Sequence, residues 1–271
     1  MQAVPDGGVG SAGAGAGRSG MSQAAGPLLF ARYAYPPNAL GLCGADVRRT
    51  LLEYGAAHES DGGLAELART FDGAWPYLEL IAGANRIDDP LDPRVVEAYW
   101  VGNELLARVD PSQLVNHVDE RFRGRLGRAR DHVYASAHAG AVPHHCFHVF
   151  TVYPWLGLLR SGIVDEPLNV LDRCRTTVGR VLATDNEAAT VLARPLVFRD
   201  GLLALGELEA RDARWSEAGL SFLVRPQPGE LVSLHWDFVC DRLTPVTARA
   251  LEAATRRALT AANCSAATTV A

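Results

Sequence analysis

Lysine is absent from this 271-residue chain, so all 26 basic residues are arginines. Without a lysine amine there is no Schiff-base chemistry, and the phosphate-gripping lysine of a P-loop has no candidate. No uninterrupted apolar run approaches the ~20 residues that cross a bilayer, and the N-terminus has no basic stretch leading into an apolar one. No two cysteines are spaced CxxC. The five present, Cys43, Cys146, Cys174, Cys240 and Cys264, are odd in number and far apart, which argues against a zinc knuckle or dithiol motif and for reduced thiols. Formal net charge is −5, and the arginines are scattered, so neither nucleic acid nor a membrane is an expected partner. These absences predict a cytoplasmic globular protein.

What is present divides the chain. Hydrophobic residues make up 48%, ample for a buried core. Residues 1–26 are dominated by Gly, Ala and Ser with few large apolar side chains, which predicts a disordered tail; Met21 is a second candidate start, and 264–271 forms a similar tail. Residues 27–165 carry helical spacing and predict an all-α domain of five to seven helices. Asp92-Pro93 and Asp110-Pro111 read as N-cap and N1, giving helices near 93–107 and 111–126. Residues 64–84 are apolar at helical spacing with Pro76 as a kink or break, and 144–159 is a further apolar segment interrupted by Pro154.

Asp165-Glu166-Pro167 marks the expected boundary, beyond which the period changes to two. Residues 178–183 and 189–193 read as strands about Asp185-Asn186, and 196–198 with 202–205 as a hairpin about Asp200-Gly201. Further strands are expected at 207–213 and 231–238, the last following Pro228-Gly229. Thr244-Pro245 caps a helix over 246–262. The fold class is therefore α+β: an all-α N-terminal domain, then a small OB-like β-barrel with a C-terminal helix over 168–263.

Two motifs in the barrel stand out. Cys174 lies five residues before Gly179, which opens an alternating run, and Gly229 is followed by Val232, His235 and Phe238 at spacings of three. A thiolate and an imidazole brought together suit iron, zinc or copper. With these residues the C-terminal third resembles the HypC/HupF family of [NiFe]-hydrogenase maturation chaperones, whose barrels carry a cysteine with a glycine five residues on and a Gly-x-x-Val-x-x-His-x-x-Phe strand. The resemblance implies a non-enzymatic accessory protein that binds a hydrogenase large subunit or a maturation scaffold. It also implies that Cys174 and His235 transiently carry an iron atom with cyanide and carbon monoxide, an Fe(CN)2(CO) fragment. Gly179, Asp237 and Phe238 would support that site, Asp237 by bonding the imidazole. In that family the cysteine follows the initiator methionine, whereas Cys174 is internal, and Thr176 and Val178 stand where the family has glycine and proline. The whole chain, through Tyr35-Pro36-Pro37-Asn38, Phe71-Asp72-Gly73-Ala74-Trp75-Pro76 and residues 144–148, resembles an uncharacterised family of actinobacterial proteins.

A second constellation is His144, His145 and His148 with Cys146 between them. His144 and His148 are four apart and share a helical face if the segment is helical, but position 145 lacks the glutamate of the HExxH protease motif. This cluster is the alternative metal site, belonging to a metal-dependent enzyme or metal-binding protein. A third reading is a barrel that serves only as a protein-interaction module.

Overall fold

The computed structural model describes residues 24–126 and 130–264; the segments expected as tails fall largely outside these, as does Met21. The chain is a mixture of helix and strand and ends in a long helix. Ten α-helices come first: α1 Gly26–Ala39, α2 Arg48–Ala57, α3 Gly62–Arg69, α4 Trp75–Asn85, α5 Pro93–Trp100, α6 Pro111–Leu126, α7 Arg130–His138, α8 His145–Phe147, α9 Trp155–Arg160 and α10 Asp165–Cys174. Strands β1 Thr177–Asp185, β2 Ala188–Ala193, β3 Leu196–Arg199, β4 Leu202–Leu205, β5 Glu209–Arg214, β6 Leu231–His235 and β7 Phe238–Leu243 follow, then α11 Pro245–Cys264.

Local chemistry sets most helix ends. The Asp61 carboxylate accepts the Leu64 amide and starts α3, and Asp92 accepts that of Arg94 ahead of Pro93 in α5. The apolar segment over 64–84, expected to kink or break at Pro76, is divided a few residues earlier: Thr70 closes α3, and Pro76 sits in the first turn of α4, where its missing N–H costs nothing. The helix expected near 93–107 stops at Trp100, Gly102 adopts φ +97, and a 3-10 turn over Glu104–Arg108 follows. Thr244 and Thr247 exchange amide-to-hydroxyl hydrogen bonds across the start of α11, a reciprocal cap.

Strands β1, β2, β5, β7 and β6 pair in that order and close on one another through β1 and β6 as a closed barrel, with β3 and β4 forming a separate two-stranded sheet. Gly179 faces Ala193 on one side and Val232 on the other; a Cβ there would meet Leu234 at 3.3 Å and Val191 at 3.4 Å, so the barrel interior is drawn tight around it. The β3–β4 hairpin is anchored to α11, where the Asn263 amide bonds both the N–H and the C=O of Leu203.

Helical and stranded halves share a core. One continuous apolar cluster takes in Phe30 and Tyr33 of α1, Tyr99 and Trp100 of α5, and Val191, Val232 and Val239 of the barrel. Helix α1 is buried around nearly its whole circumference, as expected for a helix with apolar residues on every face. Its Tyr33 hydroxyl meets the Ser233 hydroxyl at 2.8 Å, and Arg32 reaches Asp241 at 2.6 Å. A smaller cluster joins Phe150, Leu171, Cys174, Leu196 and Leu259.

Two departures from the sequence reading bear on the site. The segment after residue 165 is not yet strand: Asp165 and Glu166 occupy the first turn of α10, where acidic side chains favour the helix dipole, and Pro167, Leu171 and Cys174 lie on its buried face. Cys174 therefore ends a helix instead of preceding a strand. The strand expected over 231–238 is broken after His235, and Trp236 and Asp237 form a two-residue hairpin loop with φ 49° and 54°. That left-handed pair matches the twist of the flanking strands, at the cost of holding a tryptophan where L-residues are strained.

Candidate metal centre

Three elements distant in sequence converge beside the barrel. One nitrogen of His145, the Cys174 sulfur and one nitrogen of His235 all lie within 4.8 Å of one another. His145 opens α8, Cys174 closes α10 and His235 closes β6. All three are shielded from solvent, at 6%, 8% and 1% exposure. The two imidazoles meet edge to face with centroids 4.9 Å apart, and the Trp100 indole lies 4.5 Å from one and 5.4 Å from the other.

The hydrogen bonds around the rings decide which lone pairs are available. His235 Nδ1 donates to the Tyr33 carbonyl at 2.7 Å, and its Nε2 is buried without a well-formed hydrogen bond, although the Cys174 carbonyl is near enough to the ring to favour a proton on it. A carbonyl that fixes the Nδ1–H tautomer leaves Nε2 as a bare acceptor, the arrangement that metal-ligating histidines use. His145 Nε2 donates to the Cys174 carbonyl at 2.8 Å, and its Nδ1 faces the Tyr99 hydroxyl at 3.2 Å; that hydroxyl also reaches the Gly73 carbonyl at 3.3 Å. His145 must therefore give up one of two hydrogen bonds to become a ligand.

Electrostatics keeps the group neutral. Burial drives the His235 imidazole down to about 4, against the opposing pull of the Tyr33 and Cys174 carbonyls. It also drives His145 well below its ordinary value, reinforced by the neighbouring His235. Burial pushes the Cys174 thiol up to about 12, with nearby Cys43 adding to the rise and the Trp236 indole opposing it. At neutral pH the site thus offers two uncharged imidazoles and one protonated thiol. Nitrogen and sulfur donors around a tetrahedral zinc sit at about 2.0–2.3 Å from the ion, hence roughly 3.5 Å from each other. Closing the widest gap needs a movement of about 1 Å.

A frame of ion pairs holds the cysteine and histidine elements together. Asp237, in the turn after His235, pairs with Arg173 at 2.5 Å and Arg211 at 3.1 Å, and Arg211 continues to Asp172 at 3.2 Å. The Arg173 guanidinium lies 5.5 Å over the Trp236 ring, and the Trp236 backbone N–H donates to the Arg173 carbonyl at 2.7 Å. Asp237, expected to bond the imidazole, is spent on arginines instead, because the turn swings its carboxylate toward α10; the Tyr33 carbonyl fills the expected role. Gly179 lies in the barrel interior, and Phe238, the cross-strand partner of His235, packs edge-on against Tyr35 and Phe222, so both support the barrel.

The histidine run at 144–148 is split up. His144 caps α8, its Nδ1 accepting the Cys146 amide at 3.1 Å, and burial lowers it to about 3. His145 joins Cys174 and His235. His148 begins a π-helical turn over His148–Val152 and bonds the Tyr77 hydroxyl through Nδ1 at 3.1 Å. Cys146 turns away, with its sulfur 3.7 Å from the Thr255 hydroxyl and 3.9 Å from that of Thr176. The expected i and i+4 pair does not form because the backbone is extended at His144, and the residue between them faces the cysteine of another element.

The three donors stand on the wall of a cavity of about 410 Å3 enclosed by α1, the loop before α4, α5, α8, α10 and the β6–β7 turn. Sequence reasoning missed Tyr33, Tyr99, Arg173 and Trp236 as parts of this site. Trp236 and Arg173 carried a signal, as the neighbours of a singled-out histidine and cysteine.

The chain belongs to a protein family of unknown function, DUF6390, whose profile covers residues 22–269. No curated protein and no solved structure matches it.

Proposed function

We propose that this protein binds a transition-metal ion through His145, Cys174 and His235 and presents its open side to a small molecule in the adjoining cavity. The observation that carries this reading is that one nitrogen of His235 lies within 4.8 Å of the Cys174 and His145 donors, in a ring whose Nε2 is buried without a hydrogen bond. A buried acceptor without a partner costs free energy, and a ligated ion would remove that cost. One thiolate and two imidazoles suit zinc, iron or copper, while hard oxygen-seeking ions find no carboxylate among the three. Three protein ligands beside open space is the pattern of zinc sites that do chemistry, whereas structural sites close with a fourth. When bound, the ion would act as a Lewis acid toward the cavity's occupant. The protein's share is to hold the imidazole tautomers, release the Cys174 proton and exclude water.

The test is metal content after expression in medium supplemented with zinc or iron, by elemental analysis of the wild type and of Cys174→Ala. About one equivalent in the wild type and almost none in the variant is expected. A folded wild type that holds no metal after incubation with zinc, cobalt(II) or iron(II) would refute the reading.

A second reading has two of these three residues, Cys174 and His235, carry an iron–cyanide–carbonyl fragment within an OB-like barrel, as an accessory protein of hydrogenase maturation. It is favoured by Cys174 and His235, the two positions of the HypC/HupF resemblance, meeting in space. The burial of both favours a resident ion over cargo handed between proteins. Infrared cyanide and carbonyl bands, in protein purified without oxygen from a host that expresses the maturation genes, would decide for the carrier.

A further inference from the structure

The cavity wall permits a statement about its occupant. Resting on the metal reading above, we infer that the cavity takes a small aromatic or otherwise apolar molecule with one negatively charged donor group, which it turns toward His145, Cys174 and His235. Two observations set the two halves of that description.

The first is the lining. Ala34, Pro37, Phe71, Trp155, Val170 and Trp236 supply apolar and aromatic surface around about 410 Å3, the size range of small-ligand sites. The charged residues on the lining are Glu166 and Arg173 of α10. Arg173 is matched by Asp237 at 2.5 Å and stacked on Trp236, so it is not an uncommitted cation waiting for an anion. Asn169 and Tyr153 also line the cavity, but most of the surface is apolar, so an occupant with a polar body would recover only part of its lost hydration.

The second is charge at the donors. Two of the three donors are imidazoles, which ligate in their neutral form, and Cys174 is the one acidic donor. A divalent ion held by one thiolate carries +2 − 1 = +1 in a site that water scarcely reaches. An unpaired charge in low dielectric is costly. One carboxylate, thiolate or phenolate from the occupant would bring the sum to zero; a neutral head would leave it at +1.

Cobalt(II) loaded in place of the natural ion supplies the readout, because its thiolate charge-transfer and ligand-field bands report the Cys174 bond and the fourth position. Cobalt protein would be titrated with benzoate, acetate and benzamide. Benzoate is expected to bind about ten-fold or more tightly than acetate, since its ring is buried, and more tightly than benzamide, which has the same ring without the charge. Val170→Trp, filling the cavity from a partly exposed helix position, should abolish the benzoate response with the cobalt bands intact. Trp155→Ala, a second variant, should weaken benzoate several-fold and leave acetate unchanged. Cobalt bound with benzoate no better than acetate, or no better than benzamide, overturns the inference and leaves the metal reading standing. Folded protein without a thiolate–cobalt band overturns both.

Discussion

Cys174 and Cys146 are both buried thiols close to buried imidazoles, and they differ in what surrounds the sulfur. Cys146 packs among Phe150, Leu171 and Leu259 with the Thr176 and Thr255 hydroxyls beside its sulfur, and His144, two residues before it, spends its Nδ1 lone pair on capping α8. Cys174 faces two imidazoles, one with a bare nitrogen, and borders a cavity. Burial and residue type are alike in the two places. A metal centre is set apart from a packed thiol by an uncommitted lone pair and by room for a ligand.

The sharpest way to break that comparison is to remove each sulfur in turn. Cys174→Ala should lower metal affinity by at least about a thousand-fold, because the only anionic donor is lost. Cys146→Ala should leave affinity within a factor of about two and cost stability alone. Competition against a chromophoric chelator measures both. Equal loss in the two variants would mean that the metal, if bound, is not held by the group described above.

Acid should act on the site through its imidazoles. His235 has a folded value of about 4 against about 6.5 in an unfolded chain, so between these values the unfolded state binds more protons. Stability is then fully present above pH ~6.5 and is lost as pH falls toward 4, by roughly 3 kcal/mol for this residue. His145, lowered for the same reason, acts in the same direction. His144, at about 3, lies outside the donor group but contributes likewise. The comparison is sharpened by adding metal: saturating zinc should protect the wild type against acid unfolding and have no effect on Cys174→Ala. At neutral pH the imidazoles are already neutral and the thiol still protonated, so metal uptake should release one proton. Calorimetry in buffers of different ionisation enthalpy counts it.

The sequence made some of this contrast legible and concealed the rest. Helix caps at Asp92 and Thr244, the change of period in the C-terminal half and the turn at Gly229, which adopts φ +92, are local signals, and local physics honoured them. Cys174 and His235 were singled out by spacing within their own segments. His145 was visible only as one of a run, because nothing in residues 144–148 says that one histidine faces α10 and its neighbours do not; that choice is made by the extended backbone at His144 and the π-helical turn after Phe147. The hairpin at Trp236 and Asp237 was hidden because a tryptophan disfavours positive φ, and tertiary pairing of the turn with Arg173 and Arg211 overrides that preference. Helix α10 was legible in principle, since Asp165, Glu166 and Pro167 suit a first turn, but the same residues also mark linkers.

Tyr99 offers a smaller, more specific test. If His145 ligates through Nε2, it surrenders the Cys174 carbonyl and takes the Nδ1–H tautomer, whose N–H donates a hydrogen bond to the Tyr99 oxygen while the Tyr99 hydroxyl donates its own to the Gly73 carbonyl. The distances of 3.2 and 3.3 Å place both partners for this arrangement. Tyr99→Phe removes the acceptor and should weaken metal binding by about ten-fold, as loss of an outer hydrogen bond to a ligating histidine commonly does. Cys146, without such a relay, should give no comparable effect when Thr255→Val removes its nearest hydroxyl. An unchanged affinity in Tyr99→Phe would assign ligation to Nδ1 instead.

The smallest expected effect belongs to the ion-pair frame. Asp237 joins the turn after His235 to Arg173, and Arg211 carries the link to Asp172, two residues before Cys174. These side chains are partly exposed, so each pair contributes little by itself, on the order of 1 kcal/mol or less. Their effect on the centre comes through position: the frame limits how far the thiol and the imidazole can drift apart while the gap between donors is still about 1 Å too wide for an ion. Asp237→Asn should therefore lower metal affinity a few-fold, with almost no change in the stability of the metal-free protein at pH 7. The loss should grow less at high salt, where the wild-type pairs are themselves screened. A variant that lowers metal-free stability and metal affinity by equal amounts would show that the frame holds the fold and has no separate part in the spacing of Cys174 and His235.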